Sequence, residues 1–489
     1  MRNLSKTLFL NTITCPTLGW ELRNEDIIDQ DLQAPKTRGE LFRVEQGLEI
    51  GSRARTLYPT GLLIEEKDMD KAAASTRQAM ADPSNRIIFE AAFRVDGTAA
   101  RADVLIRDGA GWRLVEVKSS ANDRGNYIDD MAYTVMVLSQ ARIEITQASL
   151  LLISKDYRLG MSNSDLFVEV DHTEEVLIRA EALRQIWPNI IEETSRTKKP
   201  EPVLKIACRK CPLFSQCMGN EVENHVFKIP RLSPKKFDQL TEAGIVRIED
   251  IPATFPLTER QTIMWESVQA QKPTVRDGLG NELAQVMWPA HYLDFESVMT
   301  AIPLYPDIAP YSQIPTQYSS HCCDDVGNVI SHAEFLCDHT KDSRLELAQR
   351  LIEDLPGEGS IIVYSNFEKT IIKGLANILP PLAPSLESLL GRIVDLQDII
   401  IKNFYHPDFG GSVSLKSTLP ALVPSMSYSH LNIAEGETAM VTFAYLAMGR
   451  YSGQFAETER QNLLEYCKQD TMAMVMLHQR LDEFVRGAA

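Results

Sequence analysis

The chain is short of cysteine for its size, with eight in 489 residues. That excludes the disulfide framework that staples small secreted domains. Long apolar runs are missing too. The longest, Ala439 to Met448, is interrupted by Thr442 and falls far short of a bilayer span. The N-terminus carries two early positive charges, but its apolar core is only "LFL" and no small-residue cleavage site follows, so no secretory leader is expected. A cytoplasmic protein without a membrane partner is the resulting expectation. No internal repeat and no low-complexity tract is visible. Positive charge is the last scarcity: 50 Lys and Arg stand against 67 Asp and Glu, a formal net charge of −17. Such a surface repels phosphate, so the chain cannot rely on broad non-specific nucleic-acid contacts. Any nucleic-acid site has to be a local groove, with a metal ion supplying much of its positive charge.

What is present is an ordinary globular composition, 44% hydrophobic and 24% charged, in a length that calls for two or three domains. Two blocks mix strand and helix, 1–222 and 290–489, and each reads as α/β or α+β. Between them, 223–289 reads as a helical connector. Ser233 is its N-cap, Pro234 the first helical position and Gly244 the stop, with "IVRIEDI" leading into a second short element. The connector faintly resembles a helix–hairpin–helix that presents backbone N–H groups to phosphates; a plain spacer is the other reading.

In the first block, "ADVLIR" and "WRLVEVK" read as strands joined by a "DGAG" turn. Side chains alternate along a strand, so Glu116 and Lys118 share a face and Asp103 can join them from the neighbouring strand. Two carboxylates and a lysine suit phosphodiester hydrolysis. Hard oxygen ligands hold Mg²⁺ or Mn²⁺, and the lysine orients water or the anionic transition state. A surface hairpin with alternating charge is the plainer alternative. Further on, "ACRKCPLFSQC" sets Cys208, Cys211 and Cys217 in a C-x2-C-x5-C run, one ligand short of a tetrahedral site. Cys322, Cys323, Cys337 and Cys467 show no ligand spacing and are expected to be buried or free thiols.

The second block opens with "MWPAHYLDFESV", a strand on which Tyr292, Asp294 and Glu296 alternate onto one face. "GSIIVYSNFEKTIIKGLAN" follows as an apolar strand and an amphipathic helix with Glu368 near its start. In "TERQNLLEYCKQDTMAMVMLHQRL", Tyr466 and Asp470 lie four apart on one helical face, and Met474 and Leu477 continue that stripe toward a core. Asp395, in "RIVDLQDII", is a further candidate acid or a cap at a strand end. "GGSVSLKSTLPAL" sets Gly410 and Gly411 before a serine-rich strand and Lys416. It reads either as a phosphate-facing loop or as a turn entering a helix.

These motifs carry resemblances over nearly the whole chain. The Asp103, Glu116 and Lys118 set resembles the PD-(D/E)xK nuclease superfamily, in particular its RecB-like branch. "LSKTLFLNTITCP" resembles that branch's N-terminal helix, and "YIDDMAYTVMVL" the helix after its E-x-K strand. Two departures stand out. The upstream helix, "EQGLEIGSRARTLYP", has no metal-binding histidine, and Thr134 stands where a glutamine is usual. Iron–sulfur members of the branch, among them CRISPR-adaptation nucleases and AddB-type helicase-nucleases, place one cysteine before the nuclease core and three after it. That resemblance supplies Cys15 as the fourth ligand beside Cys208, Cys211 and Cys217, and implies a 4Fe–4S cluster, with structural zinc as the alternative. The order Asp-x-Glu, acid after a strand, Tyr-x3-Asp resembles the DEDD exonucleases of the DnaQ-like, RNase H-type fold in their tyrosine variant. It implies metal ligation by Asp294, Glu296, Glu368 and Asp470 and water positioning by Tyr466. Glu368 departs from the usual aspartate by one methylene.

The whole resembles a bacterial family described as a domain of unknown function, in which a RecB-like iron–sulfur module precedes a DnaQ-like exonuclease module. The expectation is a restriction-endonuclease-like module over 1–222, the connector over 223–289 and an RNase H-like module over 290–489. The implied function is a metal-dependent nuclease with a RecB-like and a 3'-5' exonuclease-like site, acting on nucleic acid, DNA ahead of RNA, in repair or defence. The alternative is a nucleic-acid-binding scaffold in which one or both sites are inactive and the cysteine site is structural.

Overall fold

The computed structural model describes residues 3–24, 37–219 and 222–487. It is a mixed α/β structure that divides into two units, Met1–Val203 with Met299–Ser312, and Leu204–Val298 with Gln313–Ala489. Among the described residues, no helix is long and apolar enough to cross a membrane. The boundary expected near residue 222 adjoins residues 220 and 221, which lie outside the described residues.

In the first unit, side-chain caps set the helix starts. The Ser5 hydroxyl accepts from Leu8 N at 3.3 Å and opens α1 (Lys6–Thr14). Cys15 separates α1 from α2 (Pro16–Asn24), and its Sγ accepts from Leu18 N at 3.5 Å. Thr37 and Glu40 close a capping box on α3 (Arg38–Arg55). Then come β1 (Leu62–Leu63), α4 (Met69–Ala81), β2 (Ile87–Val95), β3 (Thr98–Asp108) and β4 (Gly111–Val117). They are followed by α5 (Asn126–Gln140), β5 (Ile145–Ile153), β6 (Phe167–Asp171) and α6 (Thr173–Ser195). The six strands form one sheet in chain order. Strands β2, β3 and β4 are antiparallel, and β4 pairs parallel with β5 after the crossover through α5. Met131 to Leu138 of α5 are buried almost without break, as a helix lying across a sheet requires. The segment 299–312 completes this unit. Its Tyr311 hydroxyl donates to Ser119 O at 2.6 Å, and the Gln46 side chain accepts from Ala301 N.

The first α-helices of the second unit are α7 (Pro234–Glu242), capped by Ser233 as the sequence indicates, and α8 (Glu259–Ala270). Next are β7 (Thr274–Val275), α9 (Gly278–Leu283), β8 (Ala290–Val298), β9 (Ile314–Asp325), β10 (Asn328–Leu336), α10 (Arg344–Asp354) and β11 (Ile361–Val363). The chain continues through α11 (Phe367–Ile378), α12 (Ala383–Leu390), β12 (Ile393–Asp395), α13 (Leu396–Asn403) and β13 (Phe404–Tyr405). It closes with α14 (Leu415–Leu422), α15 (Gly436–Ala447) and α16 (Gly453–Val485). The main sheet has the order β10-β9-β8-β11-β12. Its β8, β9 and β10 are antiparallel neighbours, while β11 runs parallel to both β8 and β12. Strand β8 is therefore central, with Leu293 and Phe295 buried on one face. The connector helices share this unit's core: Phe237, Ile248 and Met264 belong to the same apolar cluster as Tyr292, Ile362 and Leu477.

One local expectation is corrected. The stretch after Gly411 is no serine-rich strand. Ser414 is an N-cap and Leu415–Leu422 is helical. Serine is a poor strand former but a preferred N-cap, and the apolar Leu415, Leu419 and Leu422 recur at helical spacing.

Candidate metal centre

The centre of the second unit is built on the middle of β8. Asp294 and Glu296, two residues apart, project from one face, with Ser319 and Gln317 opposite them on β9. Helix α16 brings Asp470 to the same place. One ligand atom from each of Asp294, Glu296 and Asp470 lies within 4.8 Å of the others. Glu368, in the first turn of α11 just beyond β11, is 3% exposed, and its charge adds to the burial that raises the Asp294 carboxyl beside it. The four acids singled out in the sequence thus meet in one cluster. Tyr466, one turn before Asp470 on α16, hydrogen-bonds to it.

This concentration of negative charge is costly without a cation. Burial pushes the Asp294 and Glu296 carboxyls well above the usual carboxylate range, and the charge of Asp470 adds to both shifts. Burial raises Glu368 to about 7, with the Asp395 charge reinforcing it, and raises Asp470 to about 6. At Asp294 little offsets this: its carboxylate accepts only from the weakly donating Cys467 thiol, at 3.5 Å. Buried carboxylates in mutual repulsion are what a divalent cation relieves, so the donor set fits Mg²⁺ or Mn²⁺. Asp395 caps α13 by accepting from Asp398 N at 3.1 Å.

Three neighbours of the cluster carry no motif. Tyr428, on the loop after α14, donates its hydroxyl to Asp470 Oδ1. Cys467 is fully enclosed beside Asp294, and burial raises its thiol far above its ordinary range. Helix α15 starts at Gly436, where a Cβ would lie 3.8 Å from both Glu296 carboxylate oxygens and from the Tyr466 hydroxyl. A helix N-terminus there favours negative charge.

In the first unit, Asp103, Glu116 and Lys118 also come together. Val104 pairs with Val115 across β3 and β4, which sets Asp103 next to Glu116. Asp103 Oδ2 accepts from Val117 N at 2.7 Å. Its carboxyl is raised well above the usual range by burial first and by Glu116 second. Glu116 is 3% exposed, and its Oε2 is buried without a hydrogen-bond partner. Lys118 Nζ donates to Glu116 Oε1 at 3.0 Å and to Asp130 Oδ2 at 2.7 Å, and Lys6 reaches Glu116 Oε1 at 3.3 Å. Asp130 and Lys6 went unnoticed in the sequence, although both sit in segments that carry the family resemblance. Thr134, on the same helix, turns its hydroxyl back to Asp130 O.

A cavity of about 260 Å³ opens beside Asp103, lined by Gly47, Gly51, Ala54, Arg55 and Glu90 among others. Glu90 holds a left-handed backbone, φ 54°, and burial raises its carboxyl.

Of the four candidate cysteine ligands, Cys15 belongs to the first unit and Cys208, Cys211 and Cys217 to the second. All four are half-buried. Cys208 lies in a short 3-10 turn, Ile206–Lys210, where its Sγ accepts from Lys205 N at 3.4 Å. Cys322, Cys323, Cys337 and Cys467 are buried.

Comparison with known proteins gives a family and two individual likenesses. A family model described as a domain of unknown function, DUF2779, matches residues 291–414. An uncharacterized protein of Mycoplasma pneumoniae, the MG366 homolog, is 23% identical over 216 residues, covering 40% of this chain and 32% of that protein. The chain thus spans about a third of the length of this curated relative. Both matches support a bacterial family of unknown function. A solved structure described as the crystal structure of SSO0001 is matched at 16% identity over 45% of this chain and 87% of that one. Its TM-score of 0.25 carries no argument about the fold.

Proposed function

We propose that the protein is a metal-dependent nuclease whose principal site is the carboxylate cluster of the second unit. The observation that carries this reading is the meeting of Asp294, Glu296 and Asp470 within 4.8 Å, with the Glu368 charge acting on Asp294. The strand order β10-β9-β8-β11-β12, three antiparallel strands followed by two parallel ones, supports an RNase H-type reading of this unit. Asp294, Glu296, Glu368 and Asp470 would hold Mg²⁺ or Mn²⁺. When bound, such ions activate water and stabilise charge on a phosphodiester. Tyr466 acts as a donor, because burial and the neighbouring carboxylates keep its hydroxyl protonated through the neutral range. Its single O–H is given to Asp470, so it orients a water by accepting a hydrogen bond from it. Asp470 receives hydrogen bonds from two tyrosines, which fix its free oxygen for a ligand.

For the first unit, a RecB-like site on Asp103, Glu116 and Lys118 is supported by their adjacency and by the α3–β1–α4–β2–β3–β4–α5–β5 order of elements. A non-catalytic reading of this unit has its own observation. Lys118 is held between Glu116 and Asp130, a closed network of the kind that serves structure. Under that reading the unit binds nucleic acid as a scaffold.

The iron–sulfur proposal rests on the sequence pattern of Cys15, Cys208, Cys211 and Cys217. Backbone N–H groups aimed at the Cys15 and Cys208 sulfurs suit thiolate ligands. Protein purified without oxygen should show broad visible absorbance that is lost on Cys211→Ser; a colourless, zinc-bearing protein would sink the cluster.

The function itself is tested with end-labelled single- and double-stranded DNA and RNA in Mg²⁺ or Mn²⁺. Stepwise shortening that disappears in Asp294→Ala is the expected result. Unchanged cleavage in both Asp294→Ala and Glu116→Ala would overturn both site assignments.

A further inference from the structure

The Gly410–Leu422 stretch has a specific relation to the carboxylate cluster. Its two glycines are explained by packing. Both have positive φ, 58° and 91°, and a Cβ on Gly411 would lie 2.1 Å from Lys228 O. The segment after them is pinned by buried groups. Val413 O accepts from the Tyr364 hydroxyl and from Gln397 Nε2, both at 3.1 Å, and Tyr364 also meets the Thr418 hydroxyl at 2.8 Å. Tyr364 directly follows β11, the parallel neighbour of β8. The start of α14 is thereby fixed to the end of the sheet that carries Asp294 and Glu296.

Lys416, the second residue of α14, leaves this anchored turn toward the cluster. Its ammonium donates to Ala434 O at 2.7 Å and lies 5.8 Å from the ring centroids of both Tyr428 and Tyr466. It is exposed, and the hydrogen bond it makes goes to a carbonyl and not to a carboxylate. Its charge nevertheless reaches Glu296 and Asp470. A lysine has three donors, and the carbonyl uses one of them. Two donors therefore remain at the mouth of an acidic site, on a chain whose net charge of −17 otherwise repels phosphate.

We infer that Lys416 is a substrate-binding residue that holds a backbone phosphate of a nucleic-acid strand entering the carboxylate site. The inference rests on the nuclease reading and gives it a substrate contact. The tyrosine rings beneath the ammonium are not open to bases, Tyr466 being 4% exposed, so the contact is with the strand's backbone.

The test measures binding apart from turnover. Fluorescein-labelled oligodeoxythymidylate and oligouridylate are titrated against the full chain in Ca²⁺ over a series of salt concentrations, and trimming of the same strands is followed separately in Mn²⁺. Lys416→Gln should weaken binding roughly tenfold, the worth of a charge-assisted hydrogen bond. It should also lower the steepness of the log Kd against log salt plot by about 0.7, one phosphate contact on a single strand. Lys416→Arg, which keeps the charge, should keep the wild-type slope and the wild-type Mn²⁺ affinity. Wild-type affinity and slope in Lys416→Gln would overturn the inference while leaving the nuclease reading intact wherever trimming persists. Weaker binding with an unchanged slope would also overturn it, since that marks a structural effect. A wild-type chain that neither binds nor trims either strand removes the inference and the nuclease reading together.

Discussion

The Tyr428 hydroxyl donates to the Asp470 carboxylate from a loop 42 residues earlier in the chain. Tyr466 bonds to the same carboxylate from within α16. Asp470 is therefore oriented from two sides before any cation arrives. The cost falls on the tyrosines, whose hydroxyls burial and the Asp470 charge hold far above their ordinary range. Tyr428→Phe keeps the ring and removes only the donor. It should weaken Mn²⁺ binding by about 10- to 100-fold, the usual effect of losing an outer partner of a metal ligand. Titration followed by the Mn²⁺ paramagnetic resonance signal measures it. Unchanged affinity would show that Tyr466 alone orients Asp470.

In the first unit, Glu116 depends on its lysines. It is 3% exposed, and one of its oxygens has no hydrogen-bond partner. Removing one partner of a buried ion pair strands the other charge. Lys118→Met should cost about 3 kcal/mol in chemical denaturation, the low end for such pairs because Lys6 remains 3.3 Å from Glu116. Adding Glu116→Gln should recover part of that loss. A neutral Lys118→Met would argue that Lys118 is held for chemistry and contributes little to stability.

Much of the second site can be read in the sequence because its spacing follows the periods of secondary structure. Asp294 and Glu296 share a strand face at period two, and Tyr466 and Asp470 share a helix face at spacing four. The Asp103 and Glu116 pair follows from a hairpin whose turn fixes the register. Tyr428 could not be found this way. It sits on an irregular loop, and only the tertiary fold brings it to Asp470. The same holds for Lys6 and Asp130, which reach Lys118 and Glu116 from other helices. The caps at Ser233 and Pro234 mark the connector's helix correctly. No local pattern says that Phe237 will share a core with Tyr292 and Leu477. Nor does any local pattern reveal that 299–312 completes the first unit while β8 and β9 on either side of it belong to the second. Those outcomes depend on long-range packing, which periodicity does not encode.

Stability without metal should fall as pH rises. Glu368 is raised from 4.5 to about 7 and Asp470 from 3.8 to about 6. A carboxyl raised in the folded state binds its proton more tightly there than in the unfolded chain, so folding is favoured at low pH. The advantage is lost as pH climbs from the unfolded value through the folded one, here from about pH 4 to about pH 7. Each group alone accounts for about 3 kcal/mol, and the two are coupled, so their effects do not simply add. In chelator, the melting temperature should drop between pH 5 and pH 7.5, and Mn²⁺ should restore it at pH 7.5 but not at pH 5. A Mn²⁺ effect of equal size at both pH values would contradict the assignment of these acids as ligands.

Asp294→Asn separates repulsion from ligation. The asparagine has nearly the shape of the aspartate, so packing beside Cys467 and Glu368 is preserved. One of four clustered charges is gone, and Asp470 and Glu368 no longer oppose it. Metal-free Asp294→Asn should therefore melt higher than the wild type at pH 7.5. With cation the order should reverse, because the variant has lost a ligand and gains little from Mn²⁺. Strand trimming should disappear with the Mn²⁺ stabilisation, while Glu116→Gln leaves both in place. A variant that is less stable than the wild type in chelator would mean that Asp294 serves the fold by a bond that asparagine cannot make. The cluster would then lose the signature of a site waiting for a cation.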